Sequence, residues 1–393
     1  MPADLSKQSL TQTVKKLALE TGFDEAGITV PASLAEAEAK LRAWVAEGRH
    51  AGMKYLEDFP ARRARFFGDF PGARSVLVLG VSYYSPAKEV EGFSSPGDIL
   101  KGRVARYAWG LDYHEEIRKR HGRLIARLAA LCGPEFRAGS CVDIQPIPER
   151  YAAFKAGFGF IGKHTGLLSR KFGPWLFLSE IITNLELEED LPAAGDCGTC
   201  VECQSACPTG ALDRDYSLDA RLCIAYWTIE HKGVIPRDFR PKIKDWIFGC
   251  DICMAVCPFG TRPVETSWLE LKPESGFGPK LDPAELFGIK TQREYEKKFQ
   301  GTALLRAKRK QMLRNACIVL GNSGHANALP YLAQGLGDPE TLVRLHAAWG
   351  LGRIPCAKSV ELLKARAAEE KDSGVSEEIA AALEALEHLA KPL

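Results

Sequence analysis

Eight of the twelve cysteines in this 393-residue chain lie between positions 197 and 257, at the spacing of metal-cluster ligands. Cys197-x2-Cys200-x2-Cys203-x3-Cys207-Pro208 is a complete bacterial ferredoxin run, in which three thiolates hold one [4Fe-4S] cubane and the fourth reaches across to another. A second run, Cys250-x2-Cys253-x3-Cys257-Pro258, lacks its opening cysteine, because Ile247 stands three residues before Cys250. Cys223 is the remaining thiol of the segment, and Leu218-Asp219-Ala220-Arg221-Leu222-Cys223 has the form of a helix start that could bring it in. Crossing the fourth ligands then assigns Cys197, Cys200, Cys203 and Cys257 to the first cluster and Cys207, Cys223, Cys250 and Cys253 to the second. A zinc tetrathiolate would use two Cys-x2-Cys pairs but would leave the third cysteine, the x3 step and the two prolines without a purpose. Two cubanes pass single electrons, so the segment is a relay and needs an acceptor elsewhere in the chain. Cys132, Cys141, Cys317 and Cys356 are scattered and read as core.

The elements that must position this chemistry differ along the chain. Leu10 to Glu20, Leu34 to Glu47 and Asp112 to Leu131 have helical spacing, while Ser75 to Val81 and Trp175 to Ile182 read as buried strands. Gly157-Phe158-Gly159-Phe160-Ile161-Gly162 matches a dinucleotide fingerprint, but a helical Tyr151 to Ala156 precedes it where a strand is required. Three bare glycines before Lys163-His164 are better explained by the close approach of a large flat cofactor. An acidic stretch, Glu186 to Pro192, leads into the cysteines. Beyond residue 300, Met312 to Gly321 recurs as Val343 to Gly352, 31 residues on, with a fainter copy from Val375 to Leu383. Units of that size bury their apolar faces only by stacking, which predicts a short helical solenoid of HEAT-like repeats. Lys297-Lys298 and the run Arg306 to Arg314 are basic; they form either a solvated helix face or a docking surface. No apolar run reaches the ~18–20 residues of a membrane span, and Met1 to Lys7 carries neither a secretion signal nor a twin-arginine pair, so a cytoplasmic protein without membrane contact is expected. A formal charge of +2 excludes nothing, since a local basic face can hide in a balanced total.

Three features together resemble the epoxyqueuosine reductases: the stretch from Asp143 through Gly157 to Thr165, the doubled ferredoxin module with Leu218 to Gly233 between its runs, and the HEAT-like tail. The resemblance spans nearly the whole chain. It implies a cobalamin-dependent enzyme that removes the epoxide oxygen of epoxyqueuosine at the wobble position of tRNA, drawing electrons from two [4Fe-4S] clusters. The implied architecture is α+β and multidomain: an N-terminal α/β corrinoid-binding catalytic domain (1–185), a ferredoxin-like double [4Fe-4S] module (186–265), and C-terminal α-helical HEAT-like repeats (266–393). Asp143 matches the family's proton donor, and desolvation beside a corrin face would raise its pKa and keep it protonated. Arg63, Lys163 and His231, with Asp143, are the implied cobalamin contacts; Ala225 stands where the family often has serine. Some corrinoid proteins bind cobalt through Asp-x-His-x-x-Gly, but here Ile117 occupies the glycine position after Asp112-Tyr113-His114, so base-off cobalamin without a histidine ligand is expected and His114 reads as an ordinary helix N-terminal residue. The implied partners are a tRNA anticodon stem-loop, its wobble base turned out of the stack, and an external low-potential electron donor to a monomeric enzyme. Two other readings stand beside this one: a reductive dehalogenase-like corrinoid enzyme on a small molecule, and an iron-sulfur electron-transfer subunit.

Overall fold

In a computed structural model, residues 6–86, 100–261 and 263–390 are described. They form two compact units, each assembled from separate stretches of chain. The first takes Met1–Ser85, Leu111–Leu222 and Asp251–Lys272; the second takes Pro86–Gly110, Cys223–Cys250 and Pro273–Leu393. The two units therefore cross the boundaries expected from sequence at 185 and 265. The cysteine-rich segment is divided between them: Cys223 and Cys250 lie in the second unit and the other six in the first.

The first unit is built on a four-stranded sheet. Its strands are β1 (Glu25–Thr29), β2 (Ser75–Ser82), β3 (Ala138–Cys141) and, after a hairpin of β4 (Gly159–Ile161) and β5 (Leu167–Ser169), β6 (Leu176–Thr183). The order is β1-β2-β6-β3, and all three pairings are antiparallel. Every residue of β2 is buried, as a continuous Val/Leu run with no polar alternation demands. Helices α1 (Lys7–Glu20), α2 (Ala35–Ala46), α3 (Phe59–Gly68), α4 (Tyr113–Cys132) and α5 (Glu149–Lys155) accompany the sheet. Val76, Val78, Cys141 and Ile182 pack with Ala152, Ala153 and Ala156, the small face of α5. Asp112 caps α4 by accepting the His114 amide at 3.0 Å, which places the half-buried Tyr113 and His114 in the first turn of the helix.

The glycine-rich stretch serves packing. A Cβ on Gly159 would lie 2.0 Å from the Leu168 carbonyl oxygen, and one on Gly162 would lie 2.7 Å from the Leu168 side chain. Gly157 has φ +82° and faces the Leu191 carbonyl oxygen. These glycines let the β4–β5 hairpin close on its own neighbours, a packing demand that acts without any cofactor. The preceding helix α5 also confirms that no dinucleotide fold is present there.

The second unit holds the repeats: α6 (Arg309–Ser323), α7 (Leu329–Leu336), α8 (Thr341–Gly352), α9 (Ala357–Ala367) and α10 (Ser373–Ala390). Gly321 and Gly350 bring α6 and α8 together, since a Cβ on Gly321 would meet the Gly350 Cα at 2.8 Å. The tail does not stand alone as a separate cap. Its core is continuous with Val104, Trp109, Ile247 and Phe248, and strand Gly102–Val104 pairs with Trp246–Phe248 and Lys280–Leu281 in the same unit.

Candidate functional site

Asp143 sits just beyond β3, in a tight loop where it adopts φ +58°, a left-handed conformation that costs a non-glycine residue about 1–2 kcal/mol. Its carboxylate accepts the Tyr113 hydroxyl at 3.0 Å and lies 3.3 Å from His114 Nε2. The other imidazole nitrogen, His114 Nδ1, lies 2.7 Å from the Asp112 carboxylate. Tyr113 is sandwiched by rings, stacking on His114 at 4.0 Å and on Phe177 at 4.1 Å. The N-terminus of α4 and the loop after β3 thus present one hydroxyl, one imidazole and one carboxylate together.

The protonation of this group differs from the expectation that Asp143 holds its own proton. Hydrogen bonding from His114 outweighs burial and takes Asp143 below the usual carboxylate range. Burial opposes charge on His114, but Asp112 and Asp143 on either side overcome it and raise the imidazole to about 9. At neutrality the proton therefore rests on His114, between two carboxylates, and Asp143 is its acceptor. His114 is more than a helix-terminal residue.

Beneath this pair lie two further carboxyls. The Asp143 amide donates to Glu149 Oε1 at 2.6 Å. Burial, then the charge of Asp143, pushes Glu149 up to about 8. Glu180 of β6 pairs across the sheet with Cys141, two residues before Asp143; it is wholly buried and neither oxygen has a hydrogen-bond partner. Burial first, then the nearby Glu149 and Asp143, raises it well above an ordinary glutamate, so it is neutral.

Among the cysteines of the first unit, Cys197 and Cys257 pack on the same pair of side chains, Phe160 and Leu168. Burial pushes the Cys257 thiol up, and Cys197, Cys203 and Cys200 add to the shift from close by, which gathers the four thiols expected to share the first cluster. The Lys163 amide donates to Cys197 Sγ at 3.3 Å. Burial opposes ionisation of Cys207, yet the Thr209 hydroxyl and the amides of Thr209, Ala211 and Gly210 bring its thiol below the ordinary value.

The remaining expected contacts are dispersed. Arg63 gives one guanidinium nitrogen to Glu38 at 3.2 Å and another to the Pro31 carbonyl at 2.8 Å, while its Nε is buried without a partner. Its neighbour Arg62 is the one that reaches the Asp143 loop, at the Ile144 carbonyl, 3.0 Å away. The Lys163 ammonium pairs with Asp215 at 3.2 Å. His231 belongs to the second unit, where its Nε2 lies 3.0 Å from the Val234 carbonyl oxygen and its ring meets Trp227 edge-on. The basic run there is largely spent within the unit. Arg306 pairs with Glu230, Arg309 is buried against Asp338, Lys310 reaches Glu340, and Arg314 is fully buried.

Comparison with known proteins decides the family. Residues 63–144 match the family model described as epoxyqueuosine reductase QueG, DUF1730, residues 196–260 match the 4Fe-4S double cluster binding domain, and residues 301–384 match HEAT repeats. The chain is 38% identical to the epoxyqueuosine reductase of Xanthomonas campestris over 86% of its own length and 95% of the relative's. It is 35% identical to that of Escherichia coli over 92% and 95%. The chain belongs to the epoxyqueuosine reductase family. Among solved members, a crystal structure of epoxyqueuosine reductase with a tRNA-Tyr epoxyqueuosine-modified stem loop superposes with a TM-score of 0.86 at 30% identity, covering 96% of this chain and 99% of that one. The Bacillus subtilis epoxyqueuosine reductase, solved with its catalytic aspartate loop swung out of the active site, gives 0.85 at 29% identity over 96% and 98%.

For an epoxyqueuosine reductase, the resemblance points to Asp143 and not to the groups that the structure places around it. His114 carries a signal in the Asp112-Tyr113-His114 triplet, which in sequence reads as an incomplete cobalt-binding motif at an ordinary helix N-terminus. Glu149 and Glu180 gave none, because a lone glutamate in a helix start or a strand shows its burial only once the fold is known.

Proposed function

We propose that this chain reduces epoxyqueuosine to queuosine in tRNA and that Asp143 passes the proton taken by the departing epoxide oxygen. The observation that carries the reading is the Tyr113–His114–Asp143 constellation in a chain of this family. Turning an epoxide into an alkene takes two electrons and two protons and releases the oxygen as water; an unprotonated oxygen is a poor leaving group. The His114 imidazolium holds a proton at 3.3 Å from the Asp143 carboxylate at neutral pH, and Tyr113 fixes that carboxylate from a second side. A proton that moves from His114 Nε2 to Asp143 and on to the substrate oxygen is replaced at His114, which Asp112 keeps basic.

The electrons come through two [4Fe-4S] clusters held in the crossed arrangement, Cys197, Cys200, Cys203 and Cys257 on one and Cys207, Cys223, Cys250 and Cys253 on the other. The double-cluster family match and the gathering of the first four thiols support that assignment. Cobalamin suits the residues present. Its corrin rim carries amides, and the first unit contains buried polar atoms with no partner, Arg63 Nε and His164 Nε2. Both nitrogens of His114 are engaged by carboxylates, which argues against His114 as a ligand of the metal and is consistent with base-off binding. Arg63 would meet the corrin, joined by the resemblance-implied Lys163 and His231. Bound there, cobalamin would supply a low-potential centre that stores the second electron. The enzyme works as a cytoplasmic monomer on a tRNA anticodon stem-loop with an external low-potential electron donor.

The test is Asp143→Asn, which keeps the size of the side chain and cannot relay a proton as an acid. Turnover on epoxyqueuosine-containing stem-loop should fall ~10²-fold or more, with cobalamin and tRNA still bound and the cobalt still reduced, as read by its absorption bands. Near-normal conversion would overturn the role.

A further inference from the structure

We propose that Glu149 is a positioning residue: through the Asp143 amide its carboxyl latches the 142–147 loop, holding Asp143 against His114 and Tyr113 and setting the balance between a loop turned in and a loop turned out. The inference rests on the reading of Asp143 as the proton-passing group, and goes beyond it by naming what holds that group in place.

The loop needs a latch. Asp143 is held at φ +58°, and Ile144, an apolar residue 58% exposed, rides on the same turn. Left to itself, such a segment would relax its backbone and rebury its isoleucine. Within the loop, Val142 donates to Gln145 Oε1 at 3.0 Å and Ile144 to the Val142 carbonyl at 2.6 Å, contacts that move with the loop and do not tie it down. Val142 and Ile147 at its two ends are buried, and between them three polar contacts hold the exposed turn: Arg62 on the Ile144 carbonyl, His114 and Tyr113 on the Asp143 side chain, and Glu149 on the Asp143 amide. Arg62, half-buried on α3, reaches only the carbonyl of the exposed Ile144, and the side-chain contacts are the ones that proton transfer must disturb. Glu149 stands in the first turn of α5, whose alanines are locked against the sheet, so it is the rigid anchor. Loop movement is physically available in this family, since the Bacillus subtilis relative has been solved with its catalytic aspartate loop swung out.

The latch is sensitive to pH. The groups facing Glu149 are Asp143 and His114 from the loop and α4, Arg150 on its own helix, and, around the buried carboxyl of Glu180, the Cys141 thiol. With the loop in, Glu149 holds a proton up to about 8; with Asp143 gone and water admitted, it would ionise near its ordinary value. The loop-in state therefore binds the extra proton, and by linkage it loses stability as pH rises from the ordinary glutamate range through about 8. His114, raised to about 9 by the same arrangement, acts in the same direction: its contribution is complete below its ordinary value and fades as pH passes 9.

Amide hydrogen exchange of the intact protein reads the loop directly, with no need for turnover, so its outcome is independent of whether Asp143 passes the proton. Protection of the 142–147 amides should fall between pH 7 and 9 in the unaltered chain, after correction for intrinsic exchange. Glu149→Gln keeps an acceptor oxygen and cannot ionise; it should retain protection and flatten most of that dependence. Glu149→Ala should lose protection about tenfold throughout, while amides of β2 and β6 in the same sample, which report global opening, stay protected. The proposal is overturned if Glu149→Ala protects the loop as well as the unaltered chain, or if Glu149→Gln keeps the full pH dependence.

Discussion

The Asp143 loop and the N-terminal half of helix α6 both gather ionisable groups, and they treat them in opposite ways. Around α6 the buried charges are answered. Arg309 places two guanidinium nitrogens on Asp338 and a third on the Ile289 carbonyl, and Arg314 donates to the carbonyls of Trp227, His231 and Gly233 at 2.7–2.8 Å. Around Asp143, four carboxyls gather near one imidazole, which meets Asp112 and Asp143; the fourth, Glu180, has no hydrogen-bond partner, and the backbone is held in a conformation it would not choose. Charges that are fully satisfied hold a fold in one state; charges left in competition are poised to exchange a proton or to move. The contrast divides the basic run, which reads from sequence as a solvated face or a docking surface: Arg309 and Arg314 are internal, while Arg306, Lys308 and Lys310 stay at the surface.

The sharpest way to break the comparison is to remove a satisfied charge. Arg314→Met would remove the Arg314 donors from the Trp227 and Gly233 carbonyls, leaving Gln311 on that of His231, at ~1–3 kcal/mol for each acceptor left unpaired, so the variant should lose soluble protein or melt several degrees lower. Asp143→Asn should barely shift the melting temperature, since its site contributes strain as well as contacts. If the two variants melted alike, the division into scaffold and poised site would fail.

A smaller effect tests the proton inventory. With His114 raised to about 9, the protonated pair persists below that pH and is lost above it, so turnover should hold across neutrality and fall about tenfold per unit above 9. His114→Asn keeps a donor to Asp143 but stores no exchangeable proton; it should lower turnover and abolish the alkaline limb. A limb that persisted in that variant would belong to another group.

What the sequence made legible follows from which forces act locally. The cysteine runs, the 31-residue repeat and the strands observed at Ser75–Ser82 and Leu176–Thr183 depend on spacing and hydrophobic period, and both survive in one dimension. The division into units did not, because strands Gly102–Val104 and Trp246–Phe248 join the repeat core from far upstream. The same holds at the site. Asp143 is marked by the family resemblance, which follows the chain, whereas Glu180 matters because β6 pairs it with Cys141, and Arg314 because the carbonyls it serves lie more than 80 residues away. Glycine misled for a related reason: Gly159 is demanded by the Leu168 carbonyl opposite, a partner that no motif records.

The smallest expected effect decides what remains of the basic run as a tRNA surface. Arg309 and Arg314 are buried, and Arg306 is drawn onto Glu230, which leaves Lys308 and Lys310. Lys308 is exposed and has no ion pair among the described residues; Lys310 meets Glu340 at 3.4 Å with both side chains more than 40% exposed, a pair that contributes little. Lys308→Glu with Lys310→Glu should therefore change stability by no more than about 1 kcal/mol. If both lysines lie on phosphates, stem-loop affinity should drop and the slope of log affinity against log salt should shrink by about 0.7–0.9 per lost contact. A reversed pair that leaves both affinity and slope untouched would make the run scaffold from end to end, and the stem-loop would have to rest on other cations.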